Sequence, residues 1–119
     1  VTNSNDSNFQ DGDVVWVNFS PTNGHEQQGR RPAVVVSIGD LERLAGVVWV
    51  VPITSTNKRR LSVPINANIG NHGINGQVLV GQIRSIDPLS PRRDVERVGQ
   101  CPPDTLTEIH QSIDMILHQ

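Results

Sequence analysis

Asp13-Val-Val-Trp-Val-Asn-Phe-Ser-Pro-Thr-Asn-Gly-His-Glu-Gln-Gln-Gly-Arg-Arg-Pro-Ala-Val-Val-Val-Ser37 sets a strand, a long polar loop and a second strand in direct succession. The first run, Asp13 to Phe19, is β-branched and aromatic and lies between Gly12 and Ser20-Pro21, which is strand composition between breakers. Ala33 to Ser37 repeats that character, and so does Val47 to Ile53. Their apolar residues are continuous, which implies burial on both faces and makes both runs central strands of a small closed barrel. Between the first two runs, His25, Glu26, Gln27, Arg30 and Arg31 are crowded into the loop from Gly24 to Pro32. Gly24 and Gly29 let the backbone turn sharply, so the loop can fold over the barrel mouth and present these groups together.

Beyond this stretch, Leu61 to Ile65 is a shorter strand whose Pro64 cannot donate to a ladder and so suits an edge or a bulge. Gln77 to Ile86 is the last long strand. Pro21 to Gly29, Gly39 to Leu44, Ser55 to Arg60 and Asn66 to Gly76 are rich in Gly, Asn or charge and read as loops, with one helical turn from Asp40 to Leu44. After Pro102-Pro103, the spacing of Leu106, Ile109, Ile113, Ile116 and Leu117 is that of an amphipathic helix. Thr105 and Glu108 stand at capping-box spacing, and a start at Pro103 fits equally well. Strands about a dozen residues apart followed by one helix describe a small antiparallel β-barrel that the helix closes or covers.

The 119 residues suit one domain, with the polar segment 1–11 as a flexible tail and 12–119 as the folded unit. Its opening Val1, in place of Met, points to a trimmed or processed start. The longest apolar run, Ala45 to Ile53, is broken by Gly46 and Pro52 and is too short to span a bilayer. The Asn/Ser/Asp-rich start is no secretory signal, so a cytoplasmic location is expected. Cys101 is the sole cysteine, which rules out an internal disulfide and reads as a small buried apolar residue. The formal charge of -2 conceals an uneven distribution. Between Arg30 and Arg93 stand nine Lys/Arg residues against three acids, Asp40, Glu42 and Asp87, a local excess of +6 that suits phosphate contacts with RNA.

Gly12-Asp13-Val-Val-Trp-Val17, followed by Pro21-Thr22, Gly24-His-Glu-Gln-Gln-Gly29 and Arg31-Pro-Ala-Val-Val35, resembles the MazF/PemK ribonuclease toxins. Val51-Pro-Ile-Thr-Ser55 resembles that family's second active-site element, and Gly81-Gln-Ile-Arg-Ser-Ile-Asp87 its Gln-Ile/Val-Arg/Lys-Ser/Thr-Ile strand. The resemblance implies an SH3-like barrel with a C-terminal helix, a homodimer with single-stranded RNA along the subunit interface, and inhibition by a cognate antitoxin protein. It also implies a sequence-specific endoribonuclease that uses no metal or other cofactor.

RNA carries its own nucleophile, the 2′-OH. Cleavage therefore needs a proton acceptor, stabilisation of a charged phosphorane and a donor to the leaving 5′ oxygen. Arg31 aligns with the family's active-site arginine, and its planar fork suits phosphate oxygens. Thr54 aligns with the second active-site residue, a hydroxyl that binds the scissile phosphate or orients the 2′-OH, with Ser55 assisting. Glu26 and His25 are the proton-transfer candidates, and the sequence does not choose between them. Gln27, Arg30, Lys58, Arg59, Arg60 and Arg84 are candidate RNA contacts, while His72, His110 and His118 receive no role. Trp16 and Trp49, inside apolar strands, read as core or dimer-interface residues rather than base-stacking platforms.

In one respect the chain departs from the pattern. Where PemK-type members carry Arg and Asp just before the Gln of the last strand, Leu79 and Gly81 stand here. That shifts the chemistry to Arg31, Thr54 and the Glu26 loop, and it keeps a non-catalytic RNA-binding or regulatory barrel in play. A gyrase-poisoning toxin of the CcdB type resembles the same fold, but this chain ends Met115-Ile-Leu-His-Gln119, without the terminal Trp such toxins use.

Overall fold

The computed structural model describes residues 8–20, 29–56 and 61–118. Its strands are β1 (Asp13–Asn18), β2 (Arg30–Val35), β3 (Val48–Thr54), β4 (Ser62–Ile69), β5 (His72–Leu79), β6 (Arg84–Ile86) and β7 (Glu96–Gln100). The helices are the short α1 (Gly39–Ala45) and the C-terminal α2 (Pro103–His118). The strands form one antiparallel sheet in the order β4-β5-β3-β2-β1-β7, with β6 added beside β3. It is the curled antiparallel architecture with a C-terminal helix that the sequence implies.

The continuous apolar runs do bury both faces of the central strands. Val14, Val34, Val51 and Ile53 point into the main core, which β4, β5 and α2 cover. Their neighbours Val15, Val17, Ala33, Val35, Val48 and Val50 join Phe19 and Ile86 in a second cluster on the opposite face. Of the segment 1–11, residues 1–7 lie outside the described residues. Phe9 packs on the second cluster, and the Asn8 and Phe9 amides both donate to Glu42 at 2.9 Å. On α2, Ile109 is fully buried and Leu106 and Ile113 are partly so, worth about 2 kcal/mol for a fully buried side chain of that size. The stripe then runs off the barrel, leaving Ile116 and Leu117 exposed.

Several elements differ from the sequence-based expectation. Asn66 to Gly76, expected as a loop, belongs mostly to the β4–β5 hairpin, paired in register from Ser62↔Leu79 to Ile69↔His72. Val63, Ile65, Ile69, Ile74 and Val78 face inward, while Asn66, Asn68 and Asn75 give its outer face a loop-like composition. The turn is Gly70-Asn71, with φ of 55° and 68°, the two left-handed positions a tight hairpin of this twist requires. Arg30 and Arg31, expected in the loop, open β2 opposite Asn18 and Val17. The run from Gln77 to Ile86 follows one edge of β3 but is interrupted by a 3₁₀ turn at Val80–Gln82, where the pairing register steps from Ile53↔Val78 to Val50↔Arg84. β7 was not foreseen. It pairs with β1 across a bulge at Val14/Val15.

β7 also closes the curl. A Cβ on Gly70 would collide with the Val98 carbonyl, and one on Gly99 would lie 2.8 Å from Ile69 Cγ2, so the β4–β5 turn rests directly on β7. β7 in turn lies beside β1, and this is how the hairpin tip reaches Trp16.

Candidate active site

β3 holds β2 on one edge only as far as Pro52, whose missing N–H helps end that ladder at Ala33↔Pro52. Beyond it the partner of β3 is β5, through Ile53↔Val78 and Thr54↔Gln77. Where β2 and β3 part, a cleft of about 340 Å³ opens, lined by Trp16, Arg31, Pro32, Ile53, Ser55 and the His72–Asn75 start of β5. β2 and β3 are not paired beyond Ala33↔Pro52, and Arg31, near the start of β2, and Thr54, the last residue of β3, both lie just past that pair. The two positions the sequence singled out are therefore brought to the same parting of strands.

The candidates differ in how they stand there. Arg31 is half-buried and lines the cleft, as does the exposed Ser55. Thr54 is buried at 4% exposure, and its hydroxyl lies 3.0 Å from that of Thr56 and accepts from the Thr56 amide at 3.3 Å. It thus stands behind the wall that Ser55 presents. Gly76 is what lets β5 come so close: a Cβ there would sit 2.9 Å from the Thr54 carbonyl carbon and closer still to its oxygen. His25, Glu26, Gln27, Lys58, Arg59 and Arg60 lie outside the described residues.

Arg30, named as a phosphate contact, has its charge engaged by Asp94 at 3.0 Å and Glu96 at 2.8 Å, and its guanidinium lies 5.4 Å from the Trp16 ring centroid. Arg84 is not in the cleft. It donates to the Phe19 carbonyl at 3.0 Å and lies over the Phe19 ring, while Arg93 donates to the Asn18 carbonyl at 3.1 Å. Burial, then the neighbouring charges of Arg84 and Arg92, hold the Arg93 guanidinium below its ordinary pKa. These arginines form a second basic group at the end of β1, where Asn18 and Val17 pair with Arg30 and Arg31, and none of them is among the cleft-lining residues. Leu79 is buried and Gly81 lies on the 3₁₀ turn, so neither departure from the PemK-type pattern falls among the cleft-lining residues.

Sequence reasoning missed His72, an exposed residue that lines the cleft and meets Trp16 edge-on, with ring centroids 6.2 Å apart and planes at 81°. The two-residue Gly70-Asn71 turn was the available signal, because it fixes a hairpin with His72 at its mouth. Neither tryptophan is a core residue: Trp16 is a half-buried wall of the cleft and Trp49 is 40% exposed, so of the two expected roles only that of interface residue still stands for them.

The model of the PemK-like, MazF-like toxins of type II toxin–antitoxin systems matches residues 10–117. The chain belongs to this family. Within the PemK/MazF toxins it is 37% identical over 107 residues to the endoribonuclease toxin ChpB of Escherichia coli K12, covering 86% of this chain and 88% of that one. Its backbone is similar to the crystal structure of MazF from Deinococcus radiodurans, with a TM-score of 0.79, 34% identity and coverage of 93% and 97%. A MazE–MazF crystal structure from the same organism gives a TM-score of 0.71 at 28% identity, covering 93% and 96%.

Proposed function

We propose that this PemK/MazF-family chain is a sequence-specific endoribonuclease toxin that cleaves single-stranded RNA in the cleft between β2, β3 and β5. The observation that carries the reading is that Arg31 and Ser55, the residue after Thr54, line one cleft where β2 and β3 part. Family membership and relatives named as endoribonuclease toxins support it.

In this reading the 2′-OH gives up its proton to Glu26 or His25, and its oxygen bonds to the adjacent phosphorus. The bond to the 5′ oxygen breaks, that oxygen takes a proton, and the products are a 2′,3′-cyclic phosphate and a 5′-OH. Arg31 stabilises the negative charge of the phosphorane, where a guanidinium matches two equatorial oxygens. Ser55 meets the phosphate directly. Thr54, buried and tied to Thr56, positions that turn. Gln27, Lys58, Arg59 and Arg60 extend the contacts to flanking phosphates, and Arg84 with Arg92 and Arg93 provides a more distant basic landing area. Arg30 serves chiefly to fix Trp16.

The substrate supplies the nucleophile, so no metal or cofactor is needed. The toxin acts as a cytoplasmic homodimer, and a cognate antitoxin neutralises it, as the MazE–MazF complexes of a structural relative suggest. Incubating purified protein with a long RNA in EDTA tests the proposal. Discrete cuts with 5′-OH ends are expected. RNA left whole but bound would favour a non-catalytic barrel, and RNA ignored while gyrase is inhibited would favour a poison.

A further inference from the structure

We propose that the corner of the cleft made by Trp16 and His72 is a nucleobase subsite that takes one unstacked base of the RNA. The inference rests on the nuclease reading and adds which part of the substrate this end of the cleft receives.

Charge separates the two ends. At Arg31 and Ser55 a cation and a hydroxyl suit a phosphate. At Trp16 the cation over the ring, Arg30, already faces two carboxylates, Asp94 at 3.0 Å and Glu96 at 2.8 Å, so a phosphate there would meet excess negative charge. A neutral aromatic base would not. Trp16 is a fixed wall, since Arg30 lies over its ring at 5.4 Å and half of its surface is packed. His72 stands nearly perpendicular to it at 81°, giving the corner two aromatic surfaces, one set by the fold and one exposed. Every base has a π-face, so such a corner holds a base whatever its identity.

Length fits as well. From His72 to Gly76, whose Cα packs against the Thr54-Ser55 backbone, β5 runs four residues, about 13 Å of strand. That is more than the reach from a phosphate to its own base, so the corner takes the base of a flanking nucleotide.

The test uses His72→Ala and His72→Phe in the full chain. Cut sites on a long RNA are first mapped with wild type. A short RNA of the mapped sequence, 2′-deoxy at the cut nucleotide to block cleavage, is then made in versions with one abasic position each. His72→Ala should weaken binding of the intact RNA on the order of 10-fold, and His72→Phe should recover most of that loss. One abasic position should abolish the His72→Ala penalty. Both variants should melt with wild type, because His72 is exposed. Wild-type affinity retained by His72→Ala, or an equal penalty on every abasic RNA, would overturn the subsite alone. Failure of wild type to cut any RNA would bring down the nuclease reading and the subsite with it.

Discussion

Replacing Gly76 by alanine places a methyl carbon 2.9 Å from the Thr54 carbonyl carbon, closer to its oxygen, and 3.3 Å from Ser55 Cα. All three are backbone atoms, so no flexible side chain can swing aside. The residue also holds φ of 153°, which an L side chain rarely adopts. Relief requires β5 to back away from β3 at the Ile53↔Val78 and Thr54↔Gln77 pairs. Overpacking of this kind costs about 1–3 kcal/mol, and weakening two ladder pairs adds roughly 1 kcal/mol each. A total of about 3–5 kcal/mol corresponds to a fall in Tm of roughly 10–20 °C for a domain of this size. Because the displaced backbone is that of Thr54 and Ser55, RNA cleavage should fall as well, even far below the new Tm. Gly81→Ala is the matched control, since a Cβ there meets nothing closer than Leu61 Cδ2 at 3.9 Å. Thermal unfolding followed by circular dichroism reads both variants. A Gly76→Ala protein melting within about 3 °C of wild type would refute the close β3–β5 approach on which the cleft is built.

Asp13 is 1% exposed and accepts from Arg97, from the Gln100 amide and from the Gln10 backbone, tying β1 to β7 and to the segment before it. Asp13→Asn should cost about 1–3 kcal/mol in urea unfolding, and an unchanged midpoint would show the network to be dispensable. The Cys101 thiol is pushed up to about 11 from 9.0, by burial first and by the charge of Asp11 second. At pH 8 its thiolate should be about 100-fold scarcer than in the unfolded chain, so alkylation should be slow until urea is added. The sign for stability follows: between pH 9 and 11 the unfolded thiol ionises while the folded one does not, so raising the pH through this window weakens folding. Equal alkylation rates with and without urea would contradict the burial. RNA affinity should fall steeply as salt rises, from counterion release, and a flat response would remove the basic surface from the account.

Much of the fold could be read where local sequence and final environment agree. The run at Asp13 declares a strand, and those at Ala33 and Val47 declare central strands because burial on both faces demands unbroken apolar residues. The three-and-four spacing after Pro103 likewise declares α2, although burial ends near Ile113. The β4–β5 hairpin was hidden by its wet outer face of Asn66, Asn68 and Asn75, despite an alternating inner row and a Gly-Asn turn. Glu96 to Gln100 carries almost no strand signal of its own and pairs because β1 offers a free edge. At the candidate site, Arg31 and Thr54 were singled out from motif spacing, and both lie just past the Ala33↔Pro52 pair where β2 and β3 part. His72 was not, because its meeting with Trp16 depends on the hairpin tip lying across β7, a contact between residues 56 positions apart in the chain.

The most direct test of the central claim is a side-by-side map of the 5′-OH ends left on one long RNA by wild type and by Arg31→Ala in EDTA. Wild type should give sharp ends at one short recurring sequence. The variant, folded to the same Tm, should cut at least 100-fold more slowly at every one of them. Equal maps with equal rates would contradict the assignment of phosphorane stabilisation to Arg31.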